Sequence, residues 1–310
     1  MAESSEKQLK RIIDIAKMYY INNMTQQQIA DAFHISRPLV SSLLARAREL
    51  EIVHIEIKDP YGDNDAWLNY LKYKYGIKDG AIIPKINSFS LSESIYSWKA
   101  VEIMSELILQ SSHIGLGWGN VIDQVIRCFS KDIVTTPKTF FPLVGSLLSS
   151  GREFHTNELV RRIAEKFTSS SLFLNAPLFP NSTSEREVFI NTADYKSLEK
   201  EYKNMDLAII TVSSFPTVPD MASAYRVPNL DIRKQIVGEM IAYYYFDNGD
   251  FYISSTDIAI HCPLDYLRNT KNVLLLVPEN VSSNALLGIL KTGLITHIII
   301  AEESLSSILV

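Results

Sequence analysis

Met24 to Arg48, MTQQQIADAFHISRPLVSSLLARAR, holds the pattern that decides how this chain begins. Thr25 stands before an apolar-periodic stretch, Gln26 to Ala32, with Gln28 three residues on. That spacing predicts a helix closed by a capping box. Ile29, Ala30 and Phe33 give the helix one apolar face. Phe33-His34-Ile35 makes a tight connection, and Ser36 then caps a second helix. Pro38 falls in its first turn, where a missing N–H costs nothing. Val40, Leu43, Leu44 and Ala47 recur at i, i+3, i+4 and i+7 and must face inward. The opposite face carries Arg37, Leu39, Ser41, Ser42, Arg46 and Arg48. Two helices so joined form a helix-turn-helix, and the outer residues of its second helix suit base edges and phosphates in a major groove.

Working outward, Gln8 to Ile21 has helical periodicity, with Leu9, Ile12, Ile13, Ala16 and Tyr19 or Tyr20 expected inside. Ile52 to Lys58 alternates apolar and polar residues, which predicts a strand serving as the wing of a winged helix. Asp59-Pro60-Tyr61-Gly62-Asp63-Asn64-Asp65 is dense in turn formers and predicts a linker. The expected division is a DNA-binding domain over residues 1–58, a linker over 59–65, and a second domain over 66–310.

The charge of the whole chain is −5, which looks wrong for a partner of nucleic acid until it is counted by region. Leu9 to Arg48 holds six basic residues and two acidic ones, a net +4, so the remainder carries −9. A basic head uses its field locally while an acidic body resists nonspecific adhesion to phosphate. The polar start, MAESSEKQLKR, excludes a secretory signal, and the longest apolar runs are too short to span a bilayer. A soluble, cytoplasmic protein is expected. Cys128 and Cys262 lie among apolar neighbours with no CxxC spacing, so two buried free thiols are expected and no metal.

Beyond the linker, short apolar runs alternate with amphipathic stretches. Strands are predicted at 80–84, 113–116, 139–144, 207–212, 273–277 and 297–301, with helices at 94–110, 121–129, 157–167 and 283–291. That alternation implies an α/β fold with a mostly parallel sheet covered on both faces. Ligands of such sheets bind beyond the carboxyl ends of strands. The candidate loop is Gly117-Trp118-Gly119-Asn120, where alternate glycines after a strand permit a tight turn and close approach of a ligand. The helix that follows favours an anion at its N-terminus. It is not a dinucleotide fingerprint, because Asn120 replaces the last glycine of GxGxxG. Pro142 to Ser146 and Val277 to Ser283, with Glu279, Ser282 and Ser283, end two other strands. Asp247-Asn248-Gly249 reads as a turn, either of a hairpin or at a ligand. The six histidines show no metal spacing, no GxSxG or P-loop is present, and neither catalysis nor a cofactor is expected.

Taken in order, these segments resemble the SorC family of sugar-binding transcriptional regulators, from about Lys10 to the end. Met24 to Arg48 matches the family's LTQQEIA…GISRPTVSRLLxRAR pattern, Ile114 to Val121 its IGxGWGxT loop, and Pro142 to Gly145 its PLxG segment. Asn157 to Ala164, Ala176-Pro177 and Val237 to Gly249 match three further stretches. The resemblance implies a winged helix-turn-helix followed by a Rossmann-like, phosphosugar-isomerase-like effector domain, in a dimer or tetramer. It implies a small effector, a sugar or sugar phosphate, that alters binding to palindromic operator DNA. By motif position Gly117, Trp118, Gly119, Asn120, Gly145 and Asp247 would line the effector pocket.

The departures are chemical. Val121 replaces a threonine after the GWG loop, and Thr211 to Phe215 replaces a GIG turn. Pro278 to Ser283 replaces an AGGxxK segment, which removes a lysine and adds Glu279. Ser42 replaces an arginine of the second helix. A doubly charged phosphate becomes a poorer guest, so an unphosphorylated effector is expected. In DNA, Arg46, Arg48, Thr25, Gln26 and Ser36 would hold phosphates, and Arg37, Leu39, Ser41 and Ser42 would face bases. Two other readings fit the residues: a sugar-phosphate isomerase-like enzyme with a DNA-binding head, and a ligand-blind DNA-binding oligomer with a decayed pocket.

Overall fold

In the computed structural model the described residues are 2–50, 52–53, 65–85, 89–130, 133, 135–146, 155–217, 223–254 and 257–308. Residues 54–58 of the expected wing and 59–64 of the expected linker lie outside them. The chain divides into two compact units, Met1–Asp59 and Pro60–Val310.

The first unit has three helices, α1 (Ala2–Tyr20), α2 (Gln26–Phe33) and α3 (Arg37–Glu49). Thr25 caps α2 as its spacing predicts: the Gln28 amide donates to Thr25 Oγ1 at 3.3 Å and the Thr25 amide to Gln28 Oε1 at 2.9 Å. His34 ends α2 in the left-handed region, at φ 51°, and the Ile35 amide returns to the Ala30 carbonyl at 2.9 Å. This closure of a helix end needs no glycine when the turn is this short. Ser36 accepts from the Leu39 amide at 3.4 Å and opens α3, with Pro38 in the first turn. Ile12, Ile15, Ala16, Ile29, Ala30, Val40, Leu44 and Ala47 form the core, and Leu43 lies at its edge. One expected face is corrected. Ile15 is fully buried and Ile13 only half-buried, while Leu9, a turn earlier, stays 43% exposed. The buried stripe of α1 therefore runs through 12, 15, 16 and 19.

The second unit opens with α4 (Asp65–Tyr75), β1 (Asp79–Ile83), α5 (Phe89–Leu109), β2 (His113–Leu116), α6 (Asn120–Cys128), β3 (Thr139–Pro142), α7 (Thr156–Lys166) and β4 (Ser170–Ser171). It continues with α8 (Thr183–Ile190), α9 (Ala193–Asn204), β5 (Leu207–Thr211), β6 (Ser213–Ser214), α10 (Ser223–Arg226) and α11 (Leu230–Arg233). It closes with β7 (Ile236–Met240), β8 (Tyr243–Phe246), α12 (Leu264–Asn269), β9 (Asn272–Leu276), α13 (Ser283–Lys291), β10 (His297–Ala301) and α14 (Glu302–Ser306).

Seven strands form one parallel sheet in the order β1-β10-β9-β5-β2-β3-β4. Alternate residues of a strand enter opposite cores. Leu207, Ile209, Leu274 and Leu276 join Met104, Ile126 and Ile163 of α5, α6 and α7 on one face. Ala208, Ile210, Val273 and Leu275 join Leu71, Leu198, Leu264 and Leu286 of α4, α9, α12 and α13 on the other. Burial on both faces explains why these strands read as unbroken apolar runs rather than alternating ones. The fold is α/β and its sheet parallel, as expected from the alternation. A second, three-stranded antiparallel sheet, β6-β7-β8, has no counterpart in that expectation. Cys262 is buried, but Cys128 is exposed. Ile122, Val125 and Ile126 define the inner face of α6, and position 128 falls on the other side of that helix.

Chain order sets the position of the crevice. From β2 the chain winds outward to β3 and β4, whereas from β5 it winds the other way to β9 and β10. β2 and β5 are neighbours, so the winding reverses between them, and ligands of open α/β sheets bind at such a reversal beyond the carboxyl ends.

Candidate nucleic-acid interface and ligand site

On α3, Arg37, Leu39, Ser41, Ser42, Arg46 and Arg48 are all exposed, opposite buried Val40, Leu44 and Ala47. Leu39 is 42% exposed, unusual for leucine on a small unit, and it stands beside Arg37 where an apolar contact to a thymine methyl could form. Arg46 pairs with Glu49 at 2.8 Å, both side chains well exposed. Thr25 and Ser36 are exposed caps, and Gln26 is half-buried at the start of α2. The structure thus presents all six α3 residues on one accessible face.

In the second unit the loop after β2 lies over the reversal. The Gly117 amide donates to the Ile209 carbonyl of β5 at 2.8 Å. A Cβ on Gly117 would meet Ile241 Cγ2 at 3.2 Å, and one on Gly119, at φ +139°, would meet Thr211 Cγ2 at 2.7 Å. Trp118 is half-buried against the sheet core and Asn120 is exposed, opening α6. Gly145, at the end of neighbouring β3, has a different reason for its identity. Its Cβ would stand 2.8 Å from the backbone of Pro177 and Leu178, so chain packing excludes a side chain.

The structure does not gather the other predicted residues at this point. Glu279, Ser282 and Ser283 line a cavity of about 490 Å³ beyond β9 and β10, together with Lys85, Glu303 and Ser307. Ser282 caps α13 through the Ala285 amide at 3.3 Å, and its own amide donates to Ser214 Oγ at 2.7 Å. Glu279 is held above the usual carboxylate range by partial burial, with Glu93 and Glu303 adding to the rise. Asp247 lies elsewhere. Its carbonyl accepts from Lys291 Nζ at 2.8 Å, and Gly249 packs on Lys291–Thr292. Lys291 ends α13 and Ser283 begins it, a separation of roughly 12 Å at 1.5 Å per residue. Asp247 sits in the turn after β8, where the Gly249 amide returns to the Phe246 carbonyl.

A group with no motif stands beside the glycine loop. The tip of the β7–β8 hairpin, Ile241-Ala242, touches Gly117, and the Ala242 carbonyl accepts from Arg226. Arg226 pairs with Asp257 at 2.7 Å, and the Ala259 amide donates to Asp257 at 3.0 Å. Ile260 accepts from the Gly145 amide at 2.9 Å, and His261 lies on the Tyr243 ring with centroids 4.0 Å apart. Burial pushes His261 down to about 4, so the imidazole is neutral at ordinary pH. Arg226, Asp257 and His261 come from segments without glycine or periodic signal, which hid them from sequence reasoning. Among the described residues, no group of three His, Cys, Asp or Glu side chains could hold a metal, and no helix is long and apolar enough to cross a membrane.

A short helix-turn-helix unit and a parallel sheet with a ligand crevice at its reversal define the architecture of effector-binding regulators. Residues 59–310 match the family described as "Putative sugar-binding domain", and the chain belongs to that family. It is 25% identical to the deoxyribonucleoside regulator of Bacillus subtilis over 307 residues, 96% of each chain. It is 26% identical to the sorbitol operon regulator of Klebsiella pneumoniae over 221 residues, 69% of each. The crystal structure of the full-length Klebsiella regulator SorC has the same fold, with a TM-score of 0.74 at 21% identity, covering 97% of this chain and 99% of that one. The resemblance read from the motifs is thereby confirmed at the level of the family.

Proposed function

We propose that this chain is a transcriptional regulator whose operator binding is controlled by a small sugar-like effector, and that it is not an enzyme. The observation that carries the reading is the pairing of an exposed Arg37–Arg48 face on α3 with a family-defined sugar-binding unit over residues 59–310. In this reading residues 1–58 read duplex DNA, 59–65 link, and 66–310 bind the effector and supply the contacts between copies. Two heads in a symmetric oligomer would read a palindromic site in the cytoplasm. The effector enters at the carboxyl edge over Gly117 to Asn120, and it acts by binding the DNA-competent and incompetent arrangements with different affinity.

The test is fluorescence anisotropy of the full chain on duplex DNA from upstream of its own gene, with and without a panel of pentoses, hexoses and polyols. Specific binding that shifts with one compound, and loses that shift but not the binding in Trp118→Ala, is expected. Equal affinity for the upstream duplex and a scrambled one would overturn the reading.

A further inference from the structure

Arg226 is the most deeply buried cation of the ligand unit that has hydrogen-bonding capacity left over. Its side chain is 3% exposed, and its guanidinium lies between the rings of Phe179 and Tyr244, at 5.0 and 4.5 Å. One edge is fully engaged: Nε and Nη2 donate to the two oxygens of Asp257 at 3.2 and 2.7 Å, and Nη2 also donates to the Ala242 carbonyl. Nη1 has no acceptor. Buried N–H groups of a guanidinium are rarely left unbonded, because they lose water and gain nothing for it.

The position of that nitrogen points to what it serves. Both anchors of the guanidinium lie next to the glycine loops. Ala242 follows Ile241, which touches Gly117, and Asp257 holds the Ala259 amide just before Ile260 meets Gly145. Thr211 offers a second buried and unpartnered group, its Oγ1, beside Gly119. Asp257 remains 21% exposed, so the cluster is open to solvent on that side.

Charge decides the kind of ligand. Asp257 neutralises Arg226 directly. Among the other ionisable groups that bear on the cluster, Glu239 is negative, Arg186 is positive, and His261 is neutral. The wall therefore sums to zero while still presenting N–H donors. A phosphate dianion would surrender its hydration to a surface with no surplus positive charge. A hydroxyl or carbonyl oxygen needs only the donor. We infer that Arg226 Nη1 reads a hydroxyl or carbonyl oxygen of an uncharged sugar or polyol, and that phosphate esters are excluded. The inference rests on the effector site of the proposed function and specifies its ligand class and its polar reader.

Isothermal titration of the full chain with ribose, 2-deoxyribose, glucose, erythritol and sorbitol, each beside its phosphate ester, tests it. At least one uncharged compound is expected to bind, its ester at least tenfold more weakly. Arg226→Lys keeps a cation opposite Asp257 but removes Nη1, and should weaken binding at least tenfold while thermal unfolding stays cooperative. Should that variant not fold, Arg226→Gln with Asp257→Asn removes both charges together and must show the same loss. An ester that binds as tightly as its parent, a folded variant that binds within twofold of wild type, or no heat from any uncharged compound would each overturn the inference. Binding that is lost on changing Arg226 but indifferent to Trp118→Ala would uphold the role of Arg226 and instead overturn the placement of the effector over the Gly117 loop.

Discussion

Gly119 and Thr211 interlock across the reversal point of the sheet: a Cβ on Gly119 would stand 2.7 Å from Thr211 Cγ2, at a φ of +139° that side chains avoid. The last residue of β5 thus dictates the identity of a residue in the loop after β2. This contact, with the Gly117 amide on Ile209, clamps the loop across the crevice. The glycines serve the close passage of backbone over a neighbouring strand as much as any ligand.

Gly119→Ala should therefore destabilise the protein by about 1–3 kcal/mol, from strain and contact together. Adding Thr211→Ser removes the Cγ2 methyl but leaves the backbone strained, so it should recover only part of the loss. Urea unfolding of the single and double variants measures both terms. No recovery would show that the contact is not the cause.

On α3, substitutions should separate by their response to salt. Arg46→Ala removes an expected phosphate contact, so affinity should fall on all sequences and the slope of log K against log salt should flatten by about 0.9. Arg37→Ala should instead relax preference between operator and mutated operator. Both residues are exposed, so unfolding free energies should stay within about 0.5 kcal/mol of wild type. Equal effects on operator and random DNA for Arg37→Ala would refute its assignment to a base.

The Thr25 cap closes two bonds at once. Thr25→Ala should cost about 1 kcal/mol, and Thr25→Ser, which retains the acceptor, should restore most of it. Chemical denaturation of residues 1–58, if they fold alone, or of the full chain provides the measurement.

His261 gives stability a dependence on pH. Burial holds its folded value near 4 against an ordinary 6.5. Between those values the unfolded chain takes up the proton and the folded one does not, so stability is full above about pH 6.5 and falls as the pH drops toward 4. The loss is on the order of 1–3 kcal/mol. His261→Gln should flatten the fall in that window, as read from urea midpoints at pH 7, 5.5 and 4.5. Asp257 acts at lower pH: burial raises it, but the hydrogen bond and charge of Arg226 outweigh burial and hold it below the usual range.

Much of the architecture was legible because it rests on local signals. Thr25 with Gln28, and Ser36 with Pro38, are caps whose partners lie within three residues. Strands such as His113–Leu116 and His297–Ala301 and the helix Ser283–Lys291 fall where their apolar runs predict. The β6-β7-β8 sheet was not legible, since two of its partners, Ser213-Ser214 and Gly238-Glu239, pair across more than twenty residues and carry no periodic pattern. The site divides in the same way. Gly117 to Asn120 announce themselves by spacing, whereas Arg226 and Asp257 meet only because two unrelated loops are folded against one hairpin tip.

The amino-acid sequence alone determined the helix-turn-helix, its outward face and the alternation that makes a parallel sheet, because capping and hydrophobic period act between residues a few positions apart. Only the tertiary structure decided that Asp247 stands at the far end of α13 from Ser283, that Gly145 is crowded by its own chain, and that Arg226 keeps a donor free inside the protein. Those facts depend on which distant segments share a volume, and burial in that volume, not sequence spacing, sets what each polar group must find as a partner.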